Sequence, residues 1–383
     1  MSTALINGRV LGVDGFRDDI AVVLEGATIT ALVSADDPSL DHIPRQDLQG
    51  QLLLPGFMDC QVNGGGDVLF NDAPSVETIR RIGAAHRRYG TTGFLPTLIS
   101  DDVAVMRTAI AAVSSAIDEG VPGVLGIHLE GPYLSAQRKG VHNPHKFHRP
   151  DAGDVELVAS LRNGTTLLTL APEEVTTDTL RSLSQRGVVL AIGHSAASFA
   201  QVRGALDAGV RGFTHLFNAM TPLGSREPGV VGAALEDRES WCGIIVDGYH
   251  VHPASLRVAL AAKPVGKVFL VTDAMPPVGG TTPDFRLNGE RIECRDGRCS
   301  TAEGTLAGSA LDMLTALRNC VADLGVPLAE AARMASTYPA DFLGLGDSHG
   351  RIAIGCRADL VLLDPTLTLV GSWIGGNWMP RSE

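Results

Sequence analysis

The sequence predicts a (β/α)8 barrel carrying a small β unit assembled from both ends of the chain. Three observations predict it. Through the middle of the chain, short apolar runs alternate with longer stretches of helical periodicity. Successive apolar runs end in polar residues of chemically useful types, as the mouth of a parallel barrel would gather them. At both ends the pattern changes to short strands punctuated by Gly and Asn-Gly turns.

In order along the chain, "ALINGRVLG", "IAVVLEGATITALVS" and "GQLLLPG" read as strands. The late segment "GRIAIGCRADLVLLDPTLTLVGSWIGGNW" behaves alike. Residues 1–54 and 348–383 are therefore expected to pair into one small β-sandwich unit, with 55–347 forming the barrel. Barrel strands are expected in "GFMDCQV", "GFLPTL", "VLGIHLE", "LLTLAP", "VVLAIGH", "GFTHLFN", "CGIIVDG" and "VFLVTDA". Helices fall between them, as in "SVETIRRIGAAHRRYG", "VAVMRTAIAAVSSAIDEG" and "FAQVRGALDAGV". A doubly wound open sheet shares this alternation, but no G-x-G-x-x-G turn follows a strand. "TPDFRLNGERIECRDGRCSTAEGTLAGS" interrupts the pattern after the eighth strand, and its Asn-Gly and Asp-Gly turns predict inserted hairpins.

Composition narrows the function. Among the 383 residues, 44% are apolar and 19% charged, which suits a packed core and argues against disorder. A net charge of −12 with no basic block makes nucleic acid and anionic membranes poor partners. There is no secretory leader pattern and no apolar run of about 18 residues, so a cytoplasmic chain with no membrane span is expected. Six cysteines are scattered without a C-x-x-C, and reduced thiols are expected. Cys294 and Cys299 flank "RDGR" on a hairpin, where a cross-strand bond is conceivable but free thiols are the expectation.

"GIHLEGPYL" places His128 and Glu130 two apart at a strand end, hence on one face. The following strands end at His194, His215, Asp247 with His250, and Asp273. One histidine on an apolar strand is ordinarily a satisfied core residue. Histidines at successive strand ends, joined by Glu130 and Asp273, are not accounted for that way. Glu130, His194 and His215 form a one-carboxylate, two-imidazole set suited to Zn²⁺ or a similar ion, leaving Asp273 free as a base. His145, His148 and His252 lie in polar loops and are expected in solvent. His86, beside Arg87 and Arg88, is expected on a helix surface. Asp59 reads either as support for the site or as a turn residue.

Further strings carry a resemblance: "PGFMDCQVNGGGD", "KGVHNP", "APE", "GHSAAS", "THLFNAM", "REPGVVGAALED", "CGIIVDGYHV", "LVTDAMPPVG" and "GTLAGSALDML". With "GIHLEGPYL" they run in order over most of the chain. The sequence resembles the N-acetylglucosamine-6-phosphate deacetylases of the amidohydrolase superfamily. That resemblance implies a metal-dependent amide hydrolase acting on a small phosphorylated amino sugar, with one divalent ion per subunit, zinc by preference, in a homodimer. It implies Glu130, His194 and His215 as metal ligands and Asp273 as general base and acid. It implies His142 facing the amide carbonyl, with Val141 beside it. Asn218, Ala219, Arg226 and His250 resemble the sugar-phosphate site, and Leu306, Ala307 and Gly308 a loop lining the sugar pocket. A galactosamine-specific deacetylase shares all of this, so the epimer stays open. A non-catalytic barrel would have lost these groups.

One departure from the superfamily matters. Where many amidohydrolases have His-x-His, this chain has Gln61 and Asn63. Amides are poor Zn²⁺ ligands beside imidazole, and no bridging lysine is apparent, so a single tightly held ion is expected.

Overall fold

The structure, a computed structural model, describes residues 2–381. Eight parallel strands follow one another around a barrel: β1 (Phe57–Val62), β2 (Thr91–Ile99), β3 (Gly126–Glu130), β4 (Thr165–Leu170), β5 (Val189–Ile192), β6 (Gly212–Phe213), β7 (Trp241–Ile244) and β8 (Val268–Leu270). A parallel bridge between Val62 and Ala274 brings the last strand back to the first. Helices α1 (Val76–Arg87), α2 (Val103–Asp118), α3 (Ala152–Val158), α4 (Thr177–Gln185), α5 (Phe199–Asp207), α6 (Gly229–Glu236), α7 (Pro253–Ala262) and α8 (Met313–Leu324) occupy the crossovers and the stretch after the inserted sheet.

The local reasons are legible. β2 (TTGFLPTLI) is buried along its whole length, as a parallel strand covered on both faces is. Ser75 starts α1 by accepting the Thr78 N–H, and Ile79, Ile82 and Ala85 form its buried stripe. His86 departs from expectation: it is fully buried, with Nε2 2.9 Å from the Gly64 carbonyl. Gly65 leaves the room, since a Cβ there would lie 2.9 Å from the His86 ring. The later strands are shorter than the sequence suggests. After β6 the backbone turns out of the strand, with positive φ at His215 (32°), Phe217 (81°) and Ala219 (51°). Such conformations cannot continue a ladder.

Two sheets flank the barrel and draw strands from both ends of the chain. One pairs Thr28–Ser34, Ile20–Glu25, Ser2–Ile6 and Arg45–Asp47. The other pairs Asn377–Pro380, Leu369–Ile374, Leu360–Leu363, Leu52–Pro55, Arg9–Gly12 and Gly15–Arg17. Leu5, Val10, Val22, Ile29, Leu53, Leu360 and Trp373 fill the core between them.

The inserted hairpins form an antiparallel sheet over Asp284–Leu287, Glu290–Arg295, Arg298–Ser300 and Leu306–Ser309. It packs Leu287, Ile292 and Ala307 against Leu69, Ile99 and Met275 of the barrel. Cys294 and Cys299 are directly opposed in this ladder and are disulfide-bonded, which corrects the expectation of free thiols. Opposed residues leave the same face of a sheet as neighbours, so the hairpin register brings the two sulfurs together. Cys60, Cys242, Cys320 and Cys356 are free and buried. Among the described residues no helix is long and apolar enough to cross a membrane.

Candidate active site

Glu130 ends β3, and His194 and His215 follow β5 and β6; all three are buried. Nε2 of His194 lies 3.2 Å, and Nε2 of His215 3.0 Å, from the same oxygen, Oε1 of Glu130. The two Nε2 atoms are 3.2 Å apart. His194 Nδ1 donates to the Arg138 carbonyl at 2.9 Å, so its Nε2 presents a lone pair to the centre. Imidazole lone pairs converging on a carboxylate oxygen in a buried site suit one divalent cation, and this donor set fits zinc. Burial alone would raise the Glu130 carboxyl, but the adjacent His194 and His215 rings outweigh it and hold it well below the usual range. His194 and Asp273 adopt positive φ, 48° and 53°. Non-glycine residues keep such conformations only where the surroundings enforce them, at about 1–3 kcal/mol each.

Asp273 is buried at the end of the β8 segment. Its Oδ1 accepts from Asn63 Nδ2 at 2.6 Å and from Gln61 Nε2 at 3.1 Å. Gln61 Nε2 also donates to Glu130 Oε1 at 3.2 Å. The two amides therefore act as hydrogen-bond donors to the carboxylates, a role no second metal is needed to fill. Burial, then the nearby Glu130 charge, pushes Asp273 up to about 6. Asp59 lies beneath it. It accepts the Thr272 and Gln61 backbone N–H groups at 3.3 and 3.2 Å, as well as the Thr272 hydroxyl. Burial pushes Asp59 up to about 7.

His142 reaches the site from the loop after β3, its Nε2 4.0 Å from Glu130 Oε2. The Ser100 N–H donates to its Nδ1 at 3.4 Å, and the Ser100 hydroxyl lies 2.9 Å from the same atom. A neutral ring so held carries its proton on Nε2, toward the site. Burial, followed by the nearby His194, takes His142 down to about 3 and keeps it neutral. His128 does not touch Glu130. It sits between the hydroxyls of Thr97 and Thr169, at 3.1 and 2.8 Å, and burial lowers it to about 4.

These groups open into a cavity of about 460 Å³. Val141, Asn218, Ala219, His250, Leu306 and Gly308 line it, as the sequence suggested, together with Glu130, His142, His194, His215 and Asp273. Gly308 has φ 59°, and a Cβ there would meet the Met275 side chain at 2.6 Å and the Asp273 carbonyl at 2.8 Å, so only glycine fits. Two expected residues lie elsewhere. Ala307 points the other way along its strand and is buried in the core of the inserted sheet. Arg226 is exposed and outside the cavity lining of its own chain. The cations that do line it are Arg138 and Lys139, which sequence reading missed. The "RKG" immediately before "VHNP" was the available signal. Of the loop histidines, His145 and His252 are exposed as expected, His252 also capping α7, whereas His148 is half-buried with Nε2 3.0 Å from Asp154.

A sequence model described as "Amidohydrolase family" matches residues 52–379. An N-acetylgalactosamine-6-phosphate deacetylase of Shewanella sp. (strain ANA-3) is 42% identical, covering 93% of this chain and 89% of the relative. An N-acetylglucosamine-6-phosphate deacetylase of Haemophilus influenzae is 34% identical over 99% of both. Among solved structures, the N-acetylglucosamine-6-phosphate deacetylase of Pasteurella multocida superposes with a TM-score of 0.95 at 32% identity, over 99% of this chain and 100% of that one. A Mycobacterium smegmatis N-acetyl-D-glucosamine-6-phosphate deacetylase variant, solved with N-acetyl-D-glucosamine-6-phosphate, gives 0.89 at 32% identity, over 99% and 98%.

Proposed function

The chain belongs to the amidohydrolase family, and from that premise we propose that it hydrolyses N-acetyl-D-glucosamine 6-phosphate to D-glucosamine 6-phosphate and acetate. One observation carries the reading: Glu130, His194 and His215 converge beside Asp273 in a cavity that also holds His142, His250, Arg138 and Lys139. The carboxylate and imidazoles would hold one divalent ion, zinc by preference. When bound, such an ion polarises an amide carbonyl and acidifies water to a pKa of roughly 7. Asp273, in its ionised form, takes the water proton at Oδ2, because Oδ1 is engaged by Asn63 and Gln61. It then delivers that proton to the departing amine, which cannot leave as an anion. His142 donates from Nε2 to the carbonyl oxygen as charge develops there, a contribution of about 3 kcal/mol for such donors. Lys139, Arg138 and His250 supply cationic and hydrogen-bonding contacts for the phosphate. Asn218 and Ala219 border the sugar, with Val141, Leu306 and Gly308 as its apolar walls.

Arg226 serves phosphate only if it reaches the cavity of a second copy. We place it there in the homodimer that this reading adopts, in a cytoplasmic enzyme. The 42% identity to a relative named as an N-acetylgalactosamine-6-phosphate deacetylase favours a second reading, N-acetyl-D-galactosamine 6-phosphate as substrate. Acetate release from both 6-phosphates and from both unphosphorylated sugars tests the two. The proposal expects kcat/KM highest for N-acetyl-D-glucosamine 6-phosphate; a higher value for the galactosamine 6-phosphate would establish the second reading, and equal values with and without phosphate would remove the phosphate from both.

A further inference from the structure

Beyond β7, the chain runs through Asp247, Gly248, Tyr249 and His250 as a tight loop into the cavity. Both carboxylate oxygens of Asp247 are committed there. Oδ1 accepts the backbone N–H groups of Tyr249 and His250, each at 2.9 Å. Oδ2 lies 2.6 Å from Nδ1 of His250. Both side chains are almost completely buried, at 5% and 6% exposure. The Oδ1 bonds alone would make Asp247 a turn-former. The Oδ2 contact goes further, because a carboxylate can only accept, so Nδ1 must carry a proton. A neutral ring would then offer a bare lone pair at Nε2, which repels phosphate oxygen. Only the doubly protonated ring donates from both nitrogens, to Asp247 Oδ2 at 2.6 Å on one side and to a phosphate oxygen on the other.

We propose that Asp247 is a positioning residue that fixes His250 as a protonated, phosphate-directed donor. This rests on the reading that the cavity takes a sugar 6-phosphate. The geometry itself does not: Asp247 holds the ring whatever the ligand. His250 would discriminate the phosphorylated from the plain sugar through Asp247, and Asp247 would touch neither.

Asp247→Asn provides the test. Its Oδ1 can still accept the two backbone N–H groups, so the turn survives. Its Nδ2 now faces Nδ1, which must give up its proton, so the ring becomes neutral with the proton on Nε2. In metal-loaded protein, the ¹⁵N resonances of His250, assigned with His250→Gln, should show both ring nitrogens protonated in the parent chain and a bare Nδ1 in the variant. The neutral ring still donates from Nε2, so what the variant loses is the charge: KM for the 6-phosphate should rise about three- to tenfold, as a charge-assisted hydrogen bond weakens to a neutral one, while kcat/KM for the plain sugar stays within about twofold. Inhibition by inorganic phosphate should weaken in parallel. A bare nitrogen at either position in the parent chain overturns the proposal, and that spectrum is available even if the variant fails to fold. Equal losses on the two sugars overturn it as well. Should the parent chain turn over neither 6-phosphate, the substrate reading has failed, and the ring spectrum still decides the role of Asp247.

Discussion

The barrel mouth and the sheets built from the two chain ends are both densely buried, yet they are built on opposite rules. The terminal sheets bury Leu5, Val10, Val22, Ile29, Leu53, Leu360 and Trp373, an apolar set. Their left-handed non-glycine residues, such as Asn7, Gln49 and Leu367, sit in turns outside the strands. The mouth instead buries Asp59, Gln61, Asn63, Glu130, His142, His194, His215 and Asp273. His194, His215 and Asp273 take positive φ among these functional groups. Buried polar groups and backbone strain each oppose folding. They are concentrated where chemistry needs preorganised charge, and the apolar sheets and barrel walls offset them. Stability and function are therefore separable by position.

That separation can be attacked from either side. The largest effect is expected from His194→Ala, which should remove both metal and activity, read by metal analysis and acetate release, while far-ultraviolet circular dichroism keeps the parent signal. A variant with its full metal content would show that His194 is not a ligand. Trp373→Ala should do the reverse. Truncating a fully buried indole costs about 3–5 kcal/mol of unfolding free energy in denaturant titration, with kcat of the folded protein near the parent value. A kcat that collapsed with it would deny the separation. Asp273→Asn should lower kcat by roughly 10²-fold or more with metal still bound 1:1. Loss of metal would make Asp273 a ligand.

Asp59 gives the smallest effect. Its folded-state pKa of about 7 lies above the unfolded value, so the folded chain binds the extra proton between about pH 4 and 7. The stability of metal-free protein should fall as pH rises through that window, and Asp59→Asn should flatten the decline. An unchanged slope would mean that Asp59 titrates normally.

Much of this was legible in the sequence because barrel periodicity and strand-end polarity are local signals. Glu130, His194, His215 and Asp273 each close an apolar run, and parallel topology does the rest. What escaped depended on packing. His86 reads as a surface residue beside two arginines, but Gly64 and Gly65 admit it to the interior. Cys294 and Cys299 become partners only once the hairpin register is known. Ala307 and Gly308 are adjacent, so strand alternation sends only one toward the cavity. Arg138 and Lys139 lie in a loop whose path no periodicity encodes, and so does the exposed Arg226.

The most direct test of the central claim is to titrate metal-free protein with Zn²⁺ while following acetate release from N-acetyl-D-glucosamine 6-phosphate. On the proposed reading Glu130, His194 and His215 hold one ion, while Gln61 and Asn63 direct their donors to Asp273 and Glu130. Activity should start at background, rise linearly, and stop rising at one equivalent. Full activity before any metal is added, or a rise that continues to two equivalents, would contradict the account.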